Sequence, residues 1–287
     1  MTTPSISILE RPEGGFAMLA LDQRESMRDL LAGGREDADL RAFKETAASI
    51  LASTASAILL DRLYGVGDTA PAWAASNPLI LAADHFTQEP GKPVSVSDLD
   101  ADVTPELIEK VGASAVKFLA LWKRGDDLNE RRDLVASFLD LAHRANVPAV
   151  LEGIVRPDGD AWASPEERDD AIVEAAAEFA AAGPGLYKAE VPGDPRDPQS
   201  ITAASERITA AIDCPWVILS NGVPPDAFPD AVQAACAGGA SGFLAGRAVW
   251  TQSAVSSDPA GSLATDALRR LRAMRDRLPA SSTARVR

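Results

Sequence analysis

The chain has 287 residues, of which 46% are hydrophobic and 24% are charged, and its formal net charge is −14. This balance is typical of a globular protein with enough apolar material for a large core. The negative charge argues against generic binding to nucleic acid or to an anionic membrane surface. An anionic substrate would therefore need a locally positive pocket, because the overall charge of the protein repels anions.

The sequence favours a cytoplasmic location. Its two cysteines, Cys214 and Cys236, fit a reducing compartment better than a disulfide scaffold. Residues 1–15 show no basic region followed by an apolar stretch, so no signal peptide is predicted. No apolar run approaches the ~20 residues of a membrane span. We expect neither a nucleic-acid nor a membrane partner.

Metal chemistry is constrained by the histidine content. The chain has two histidines, His85 and His143, which are too few for a zinc aldolase or a histidine-rich metal hydrolase. A magnesium site built from carboxylates stays open, although no cluster of ligands demands one. We therefore expect no metal and no cofactor.

Short apolar segments recur along the chain and predict strands. They lie at residues 16–21, 55–60, 78–83, 114–121, 147–153, 185–190, 215–222 and 241–246. Most are too apolar to alternate, as expected for parallel strands that are covered on both faces. Between them, residues 129–146 and 164–183 have helical apolar spacing, and Ser164 with Pro165 forms a plausible helix cap and first turn.

Eight strand–helix repeats predict an α/β fold, a (β/α)8 TIM barrel. We expect a single domain over residues 1–287, with the barrel at about 14–275 and a frayed C-terminal tail at 281–287. The first dozen residues are expected to cover the lower end of the barrel. A doubly wound open sheet is the alternative, but no GxGxxG motif follows the first predicted strand.

In a barrel of this kind the chemistry lies at the carboxyl ends of the strands. Polar residues, together with two glycines, stand at the predicted ends. They are Asp22, Gln23, Arg24, Asp61, Arg62, Asp84, His85, Lys117, Glu152, Lys188, Glu190, Ser220, Asn221, Gly222, Gly246 and Arg247. Such a ring on apolar strands predicts an active site rather than a set of unrelated surface residues.

Two lysines and a glutamate are the strongest candidates within this ring. Strand alternation puts Lys188 and Glu190 on one face of the sixth strand, and Lys117 on the inner face of the fourth. Side chains of alternate barrel strands share a layer, with Glu152 of the fifth strand between them. Two ammonium groups in one desolvated pocket favour a neutral amine, the nucleophile that attacks a ketone. The alternative is that both lysines are ion-paired structural residues.

The seventh and eighth strands end in residues that suit an anion. Ser220, Asn221 and Gly222 follow the seventh strand, and Gly246 and Arg247 follow the eighth. Small residues let backbone N–H groups approach an oxyanion, and arginine adds a charged donor. We predict the phosphate site of the barrel here, against the alternatives of a simple turn and a surface ion pair.

The residues after the first strand have two interpretations. Gln23 and Arg24 could contact the far, anionic end of a long substrate. Alternatively, Arg24 pairs with Glu25 or Asp29 on a helix face, where such a pair contributes little. Of the two histidines, His143 is predicted to lie at a helix end.

Five segments, in the same order and with short gaps, resemble the sulfofructosephosphate aldolases of sulfoglycolysis. They are GGFAMLALDQRESMR (14–28), SAILLD (56–61), LYKAEVP (186–192), PWVILSNGV (215–223) and ASGFLAGRAVW (240–250). The wider relatives are the tagatose 1,6-bisphosphate aldolases, which share the LDQR, lysine-strand and GRA elements. The resemblance implies a (β/α)8 barrel, metal-free Schiff-base cleavage and a homo-oligomer.

Carried over motif by motif, the resemblance assigns catalytic residues. It implies that Lys188 forms the Schiff base, assisted by Glu152, Lys117 and Asp22, with the cleavage base left open between the two acids. It also implies that Gly222, Gly246 and Arg247 hold phosphate.

The implied substrate is a sulfosugar phosphate, 6-deoxy-6-sulfofructose 1-phosphate, split to dihydroxyacetone phosphate and sulfolactaldehyde. The chain departs from the resembled motif at Asn221, where those aldolases have serine. The alternatives are a tagatose or fructose 1,6-bisphosphate aldolase and a non-catalytic protein that binds sugar phosphates.

Overall fold

A computed structural model of the protein describes residues 4–32, 36–89 and 91–279. The predicted frayed tail, residues 281–287, lies outside the described residues. The predicted (β/α)8 barrel is confirmed, because eight parallel strands pair in a closed ring in the order β1, β10, β9, β8, β7, β6, β3, β2. The strands are β1 (Phe16–Ala20), β2 (Ile58–Asp61), β3 (Leu79–Ala82), β4 (Asp84–Thr87), β5 (Val96–Leu99), β6 (Ala115–Trp122), β7 (Ala149–Val155), β8 (Leu186–Ala189), β9 (Trp216–Ile218) and β10 (Gly242–Ala245).

Helices connect the barrel strands along the chain. The α-helices are α1 (Glu25–Arg28), α2 (Asp37–Leu51), α3 (Pro105–Lys110), α4 (Leu128–Arg144), α5 (Pro165–Ala180), α6 (Pro198–Ala211), α7 (Phe228–Ala237), α8 (Arg247–Ala254), α9 (Pro259–Ser262) and α10 (Leu268–Arg275). Short 3-10 turns (Ile6–Leu9, Ala72–Ala75) and π-helical turns (Arg62–Val66, Leu263–Ala267) complete the described elements.

The helix predicted from residue 164 begins as expected. The Ser164 hydroxyl accepts a hydrogen bond of 3.2 Å from the backbone N–H of Glu167, and Pro165 occupies the first turn of α5. His143 lies in the last turn of α4, as predicted. In the part of the chain that the structure describes, no helix combines the length and the apolar character needed to cross a membrane.

Strand alternation divides the apolar residues into two cores. On β1, Phe16 and Met18 point into the barrel, whereas Ala17 and Leu19 join the layer between strands and helices. Leu9, from the N-terminal 3-10 turn, is fully buried against the barrel interior. The lower end of the barrel is therefore filled with apolar side chains, and polar groups remain for the upper end.

A two-stranded antiparallel hairpin interrupts the barrel repeat. Strands β4 and β5 lie between β3 and β6 in the chain and pair with each other outside the barrel. The Ser97 hydroxyl donates a 2.5 Å hydrogen bond to the backbone carbonyl of Leu119, which fixes the hairpin to β6. Sequence patterns did not predict this hairpin, because its strands are short and polar. It forms one wall of the cavity described below.

Barrel closure between β10 and β1 depends on Gly242. Its φ of +142° lies in a region that other residues rarely adopt, and an added Cβ would lie 2.1 Å from the carbonyl oxygen of Phe16. We expect Gly242→Ala to lower the free energy of unfolding by about 3 kcal/mol or more, through backbone strain and steric overlap. Urea unfolding followed by circular dichroism measures the change.

Gly159→Ala is the matched control, because no heavy atom lies within 4 Å of its added Cβ. This variant should stay within about 0.5 kcal/mol of the wild type. Equal stability of the two variants would show that Gly242 does not constrain closure.

Candidate active site

Strand register brings the predicted glutamate beside the predicted lysine. Glu152 on β7 pairs directly with Lys188 on β8, so both side chains project from the same face of adjacent strands. The Lys188 Nζ lies 3.0 Å from Glu152 Oε2, and the Lys117 Nζ lies 2.7 Å from the same oxygen. All three residues are buried. Lys117, Glu152 and Lys188 thus converge in the barrel interior at one carboxylate oxygen.

Lys117 is surrounded by carboxylates. Besides Glu152, its Nζ contacts Asp22 Oδ2 at 2.9 Å and Asp84 Oδ2 at 3.0 Å. Burial alone would lower the pKa of Lys117, but the three carboxylates outweigh it and raise that pKa well above its ordinary value. Lys117 is therefore the fixed cation of the pair. Lys188, which within the described residues forms an ion pair only with Glu152, is the candidate nucleophile.

Asp22 lies at the end of β1 and remains ionised. Burial opposes its charge, but the ammonium groups of Lys117 and Lys188 outweigh burial and lower the pKa of Asp22 to about 2. Its second oxygen, Oδ1, is buried and accepts no hydrogen bond from the described residues. An acceptor oxygen is consequently available beside the two lysines.

Asp84, one of the polar residues predicted at the strand ends, contacts both Lys117 and Arg24. It is fully buried, and its Oδ2 accepts hydrogen bonds from Lys117 Nζ (3.0 Å) and from the backbone N–H of Leu119 (3.1 Å). Arg24 Nη2 donates to its backbone carbonyl at 2.6 Å and lies 3.2 Å from its Oδ1. The sequence signal was its place two residues after β3, among the polar residues at the strand ends. Asp84 orients both cations.

Neither interpretation of Arg24 anticipated its contact with Asp84. The Arg24 guanidinium is buried at the cavity wall, with its Cζ 4.6 Å from the centroid of the Phe86 ring. The prediction that it pairs with Glu25 or Asp29 missed this partner, because the partner comes from the unpredicted hairpin. Gln23 lines the same cavity, and its Nε2 would lie 2.8 Å from a Cβ added at Gly246.

The predicted anion residues lie mostly at the cavity surface. Ser220, Asn221, Gly246 and Arg247 all line it, and Gly246 caps the N-terminus of α8. Asn221 Oδ1 accepts a hydrogen bond from Arg247 Nη2, and Ser220 Oγ accepts a long one, 3.5 Å, from the N–H of Ala248. The positive end of α8 therefore faces the cavity.

Gly222 does not line this cavity. It occupies a left-handed turn with a φ of +76°, and no heavy atom lies within 4 Å of an added Cβ. The conformation suits glycine, so the residue shapes the turn after β9 rather than the cavity surface.

Two polar residues at the end of β2, Asp61 and Arg62, do not line the cavity. The Asp61 carboxylate binds the buried Lys44 ammonium of α2, and Arg62 Nη2 lies 2.7 Å from Asp102 Oδ2. Alternation puts Asp61 on the same face of β2 as Leu59 of the barrel interior, but its carboxylate is occupied by Lys44 and by the backbone N–H of Tyr64.

Glu190 and His85 also lie away from the cavity. The Glu190 Oε2 accepts a 2.9 Å hydrogen bond from the N–H of Val155, and its Oε1 lies 3.4 Å from Arg168 Nη2. The predicted alternation with Lys188 fails at Glu190 because β8 ends at Ala189. His85 is exposed on the hairpin.

The converging residues enclose one cavity of about 540 Å³. Its floor carries Lys117, Glu152 and Lys188, and the hairpin loop contributes Lys92 and Val94 to its rim. A volume of this size suits a small-molecule ligand. Within the described residues, no group of three or more His, Cys, Asp or Glu side chains is arranged to hold a metal ion.

Comparison with known proteins places the chain among aldolases. A family model described as DeoC/LacD family aldolase matches residues 16–252. Tagatose 1,6-diphosphate aldolase 2 of Enterococcus faecalis is 27% identical over 268 residues, which cover 84% of this chain and 81% of its own length. Tagatose 1,6-diphosphate aldolase of Staphylococcus aureus is 26% identical over 286 residues, which cover 86% of this chain and 84% of its own length.

Solved structures share the fold at low sequence identity. An archaeal fructose-1,6-bisphosphate aldolase, with its catalytic lysine bound to the carbinolamine intermediate, superimposes with a TM-score of 0.64 and 19% identity, covering 95% of this chain and 97% of its own. Fructose-bisphosphate aldolase from Plasmodium falciparum gives a TM-score of 0.68 at 12% identity. The match covers 93% of this chain and 90% of that aldolase.

The family match and the curated relatives define a lyase of the aldolase class. More narrowly, the chain belongs to the DeoC/LacD aldolase family, whose model spans most of its length. The aldolase chemistry expected from the sequence is thereby confirmed at the level of the family.

The lowered pKa of Asp22 gives a testable dependence of stability on pH. A carboxyl with a folded pKa of about 2 contributes stability above its unfolded pKa, and this contribution is lost as pH falls toward 2. The wild type should be more stable than Asp22→Asn at pH 6, and that difference should shrink by about 1 kcal/mol by pH 3. Urea unfolding at each pH measures it.

The matched control is Asp133→Asn at an exposed position of α4. Its difference from the wild type should vary by less than about 0.5 kcal/mol over the same range. A difference for Asp22→Asn that stays level or grows toward pH 3 would contradict the assigned charge.

Proposed function

We propose that Lys188 is the nucleophile that forms the Schiff base. The observation that carries this proposal is the shared oxygen of Glu152, which lies 3.0 Å from Lys188 Nζ and 2.7 Å from Lys117 Nζ. The amine of Lys188 thus lies beside Glu152, which can carry a proton, and near Lys117, whose positive charge is fixed by its carboxylate partners. This arrangement suits attack of a neutral amine on a ketone.

The proposed reaction begins at the second carbon of a ketose 1-phosphate. Lys188 Nζ adds to the carbonyl, Glu152 returns the proton to the departing hydroxyl, and loss of water leaves an iminium. The positive charge of Lys117 stabilises the oxygen anion that develops during addition. The iminium then accepts the electron pair of the bond between the third and fourth carbons.

Bond cleavage requires a base for the hydroxyl of the fourth carbon. Asp22 is a weak proton acceptor, because its pKa is lowered to about 2. We therefore assign this proton to Glu152 and assign to Asp22 the orientation of Lys117. An aldehyde leaves, the enamine is protonated at the third carbon, and water hydrolyses the imine to release dihydroxyacetone phosphate and Lys188.

The proposed substrate is 6-deoxy-6-sulfofructose 1-phosphate, which gives sulfolactaldehyde as the aldehyde product. Support comes from the five segments that resemble sulfofructosephosphate aldolases and from the anion residues beside Lys188. Arg247, Ser220 and the N-terminus of α8 would bind the phosphate on the first carbon. The second candidate is tagatose or fructose 1,6-bisphosphate, favoured by the names of the relatives.

Borohydride trapping tests the role of Lys188. Incubation with dihydroxyacetone phosphate and sodium borohydride should attach one reduced adduct to the peptide that contains Lys188, as seen by mass spectrometry. Lys188→Ala should abolish both trapping and turnover, because no other described lysine contacts Glu152 except the charge-fixed Lys117. Lys110→Ala, at an exposed position of α3, is the control and should trap normally. Substantial turnover by Lys188→Ala would contradict the assignment.

A substrate panel tests the substrate. Release of dihydroxyacetone phosphate is measured with EDTA present, from 6-deoxy-6-sulfofructose 1-phosphate and from tagatose and fructose 1,6-bisphosphates. We expect kcat/KM for the sulfosugar to exceed that for either bisphosphate by at least about tenfold, a difference of roughly 1.4 kcal/mol. Faster release from a bisphosphate would move the protein to the second candidate. Binding without release or trapping would instead indicate a non-catalytic sugar-phosphate binder.

A further inference from the structure

We infer that Arg156 binds the second anionic group of the substrate, the sulfonate or phosphate on the end remote from the Schiff base. The inference rests on the proposed function, since it takes Lys188 as the reacting amine. It adds a specificity-determining residue that neither the sequence patterns nor the anion site at β9 and β10 includes.

The position of Arg156 follows from β7. Glu152, Ile154 and Arg156 lie two residues apart and all line the cavity, so the arginine stands above the catalytic glutamate at the mouth. In the closed ring, β7 and β1 are diametrically opposite, and β10, which precedes Arg247, adjoins β1. Arg156 and Arg247 thus reach the cavity from well-separated strands, with Lys188 of β8 between their strands.

The charge of Arg156 has no acidic partner. Four of the cavity cations, Arg24, Lys92, Lys117 and Lys188, each contact a carboxylate. In contrast, no carboxylate of the described residues lies within ion-pair distance of Arg156 or Arg247. In a chain of net charge −14, the two uncompensated cavity cations match a substrate with two anionic ends.

The hydrogen bonds of Arg156 orient it without using its charge. Its Nη1 donates to the backbone carbonyl of Val155 at 3.1 Å, and its Nη2 donates to that of Val94 at 3.1 Å. A guanidinium has five N–H donors, so donors remain for a tetrahedral anion. The bond to Val94 also holds the hairpin loop at the cavity rim. Arg156 is therefore preorganised before the substrate enters.

The test compares ketose phosphates with and without the remote anion in Arg156→Gln. The sulfosugar phosphate and fructose 1,6-bisphosphate carry that anion, whereas fructose 1-phosphate lacks it. Loss of a charge-assisted hydrogen bond should lower kcat/KM for the first two by roughly 10- to 100-fold, mainly through KM. The change for fructose 1-phosphate should be at most about threefold. A larger loss for the bisphosphate than for the sulfosugar would identify the phosphate as the preferred remote anion.

Two control variants separate this role from others. Arg247→Gln should lower kcat/KM for all three substrates, because each carries the phosphate on the first carbon. Arg124→Gln removes an exposed charge, paired with Glu174 outside the cavity, and should leave all three unchanged. An equal loss for every substrate in Arg156→Gln would show a purely structural role and overturn the inference, as would no loss at all.

Equilibrium binding keeps the inference testable if turnover is absent. Calorimetry on Lys188→Ala and on the double variant Lys188→Ala/Arg156→Gln measures binding of the same ligands without reaction. Selective weakening of the two-anion ligands would support Arg156 even if the proposed chemistry fails. Equal affinities of the two variants for these ligands would overturn the role of Arg156. That result would not affect borohydride trapping on Lys188 in the wild type, so the two proposals can fail separately.

Discussion

The site depends on one buried ammonium and the three carboxylates that hold it. Burying a single ion costs several kcal/mol even after relaxation, so Lys117 can remain charged only because Asp22, Asp84 and Glu152 surround it. The same contacts tie β1, the hairpin and β7 to β6. A charge that would destabilise an apolar core therefore fixes the relative positions of four segments around the cavity.

Much of this arrangement could be predicted, because successive side chains of a barrel strand point alternately into the barrel and toward the helices. A lysine within an apolar strand must point inward or outward, and the neighbours of Lys117 and Lys188 indicated inward. Register then determined the rest: Glu152 pairs directly with Lys188. The eight strands and the meeting of two lysines with one glutamate followed from pattern and topology, without knowledge of loops.

What could not be predicted lies beyond the strand ends, where alternation no longer applies. Glu190 turns away because β8 stops one residue earlier, and Gly222 lies in a turn rather than at the cavity surface. The hairpin is too short and polar to show a strand period, so Asp84 gave no sign that it binds Arg24. Arg156 was hidden because β7, predicted to end at residue 153, runs to Val155, and the backbone N–H of Arg156 still donates to the Trp122 carbonyl of β6 at 2.8 Å.

Charge compensation explains how a strongly acidic chain could hold the anionic substrate that we propose. Most basic side chains of the cavity already contact a carboxylate, which offsets their charge and leaves little net field for a ligand. Arg247 is hydrogen-bonded to the neutral amide of Asn221, and Arg156 to backbone carbonyls, so each keeps its full charge. A carbonyl oxygen orients a guanidinium without cancelling its positive charge. The distribution of partners, rather than the number of cations, thus sets where an anion is stabilised.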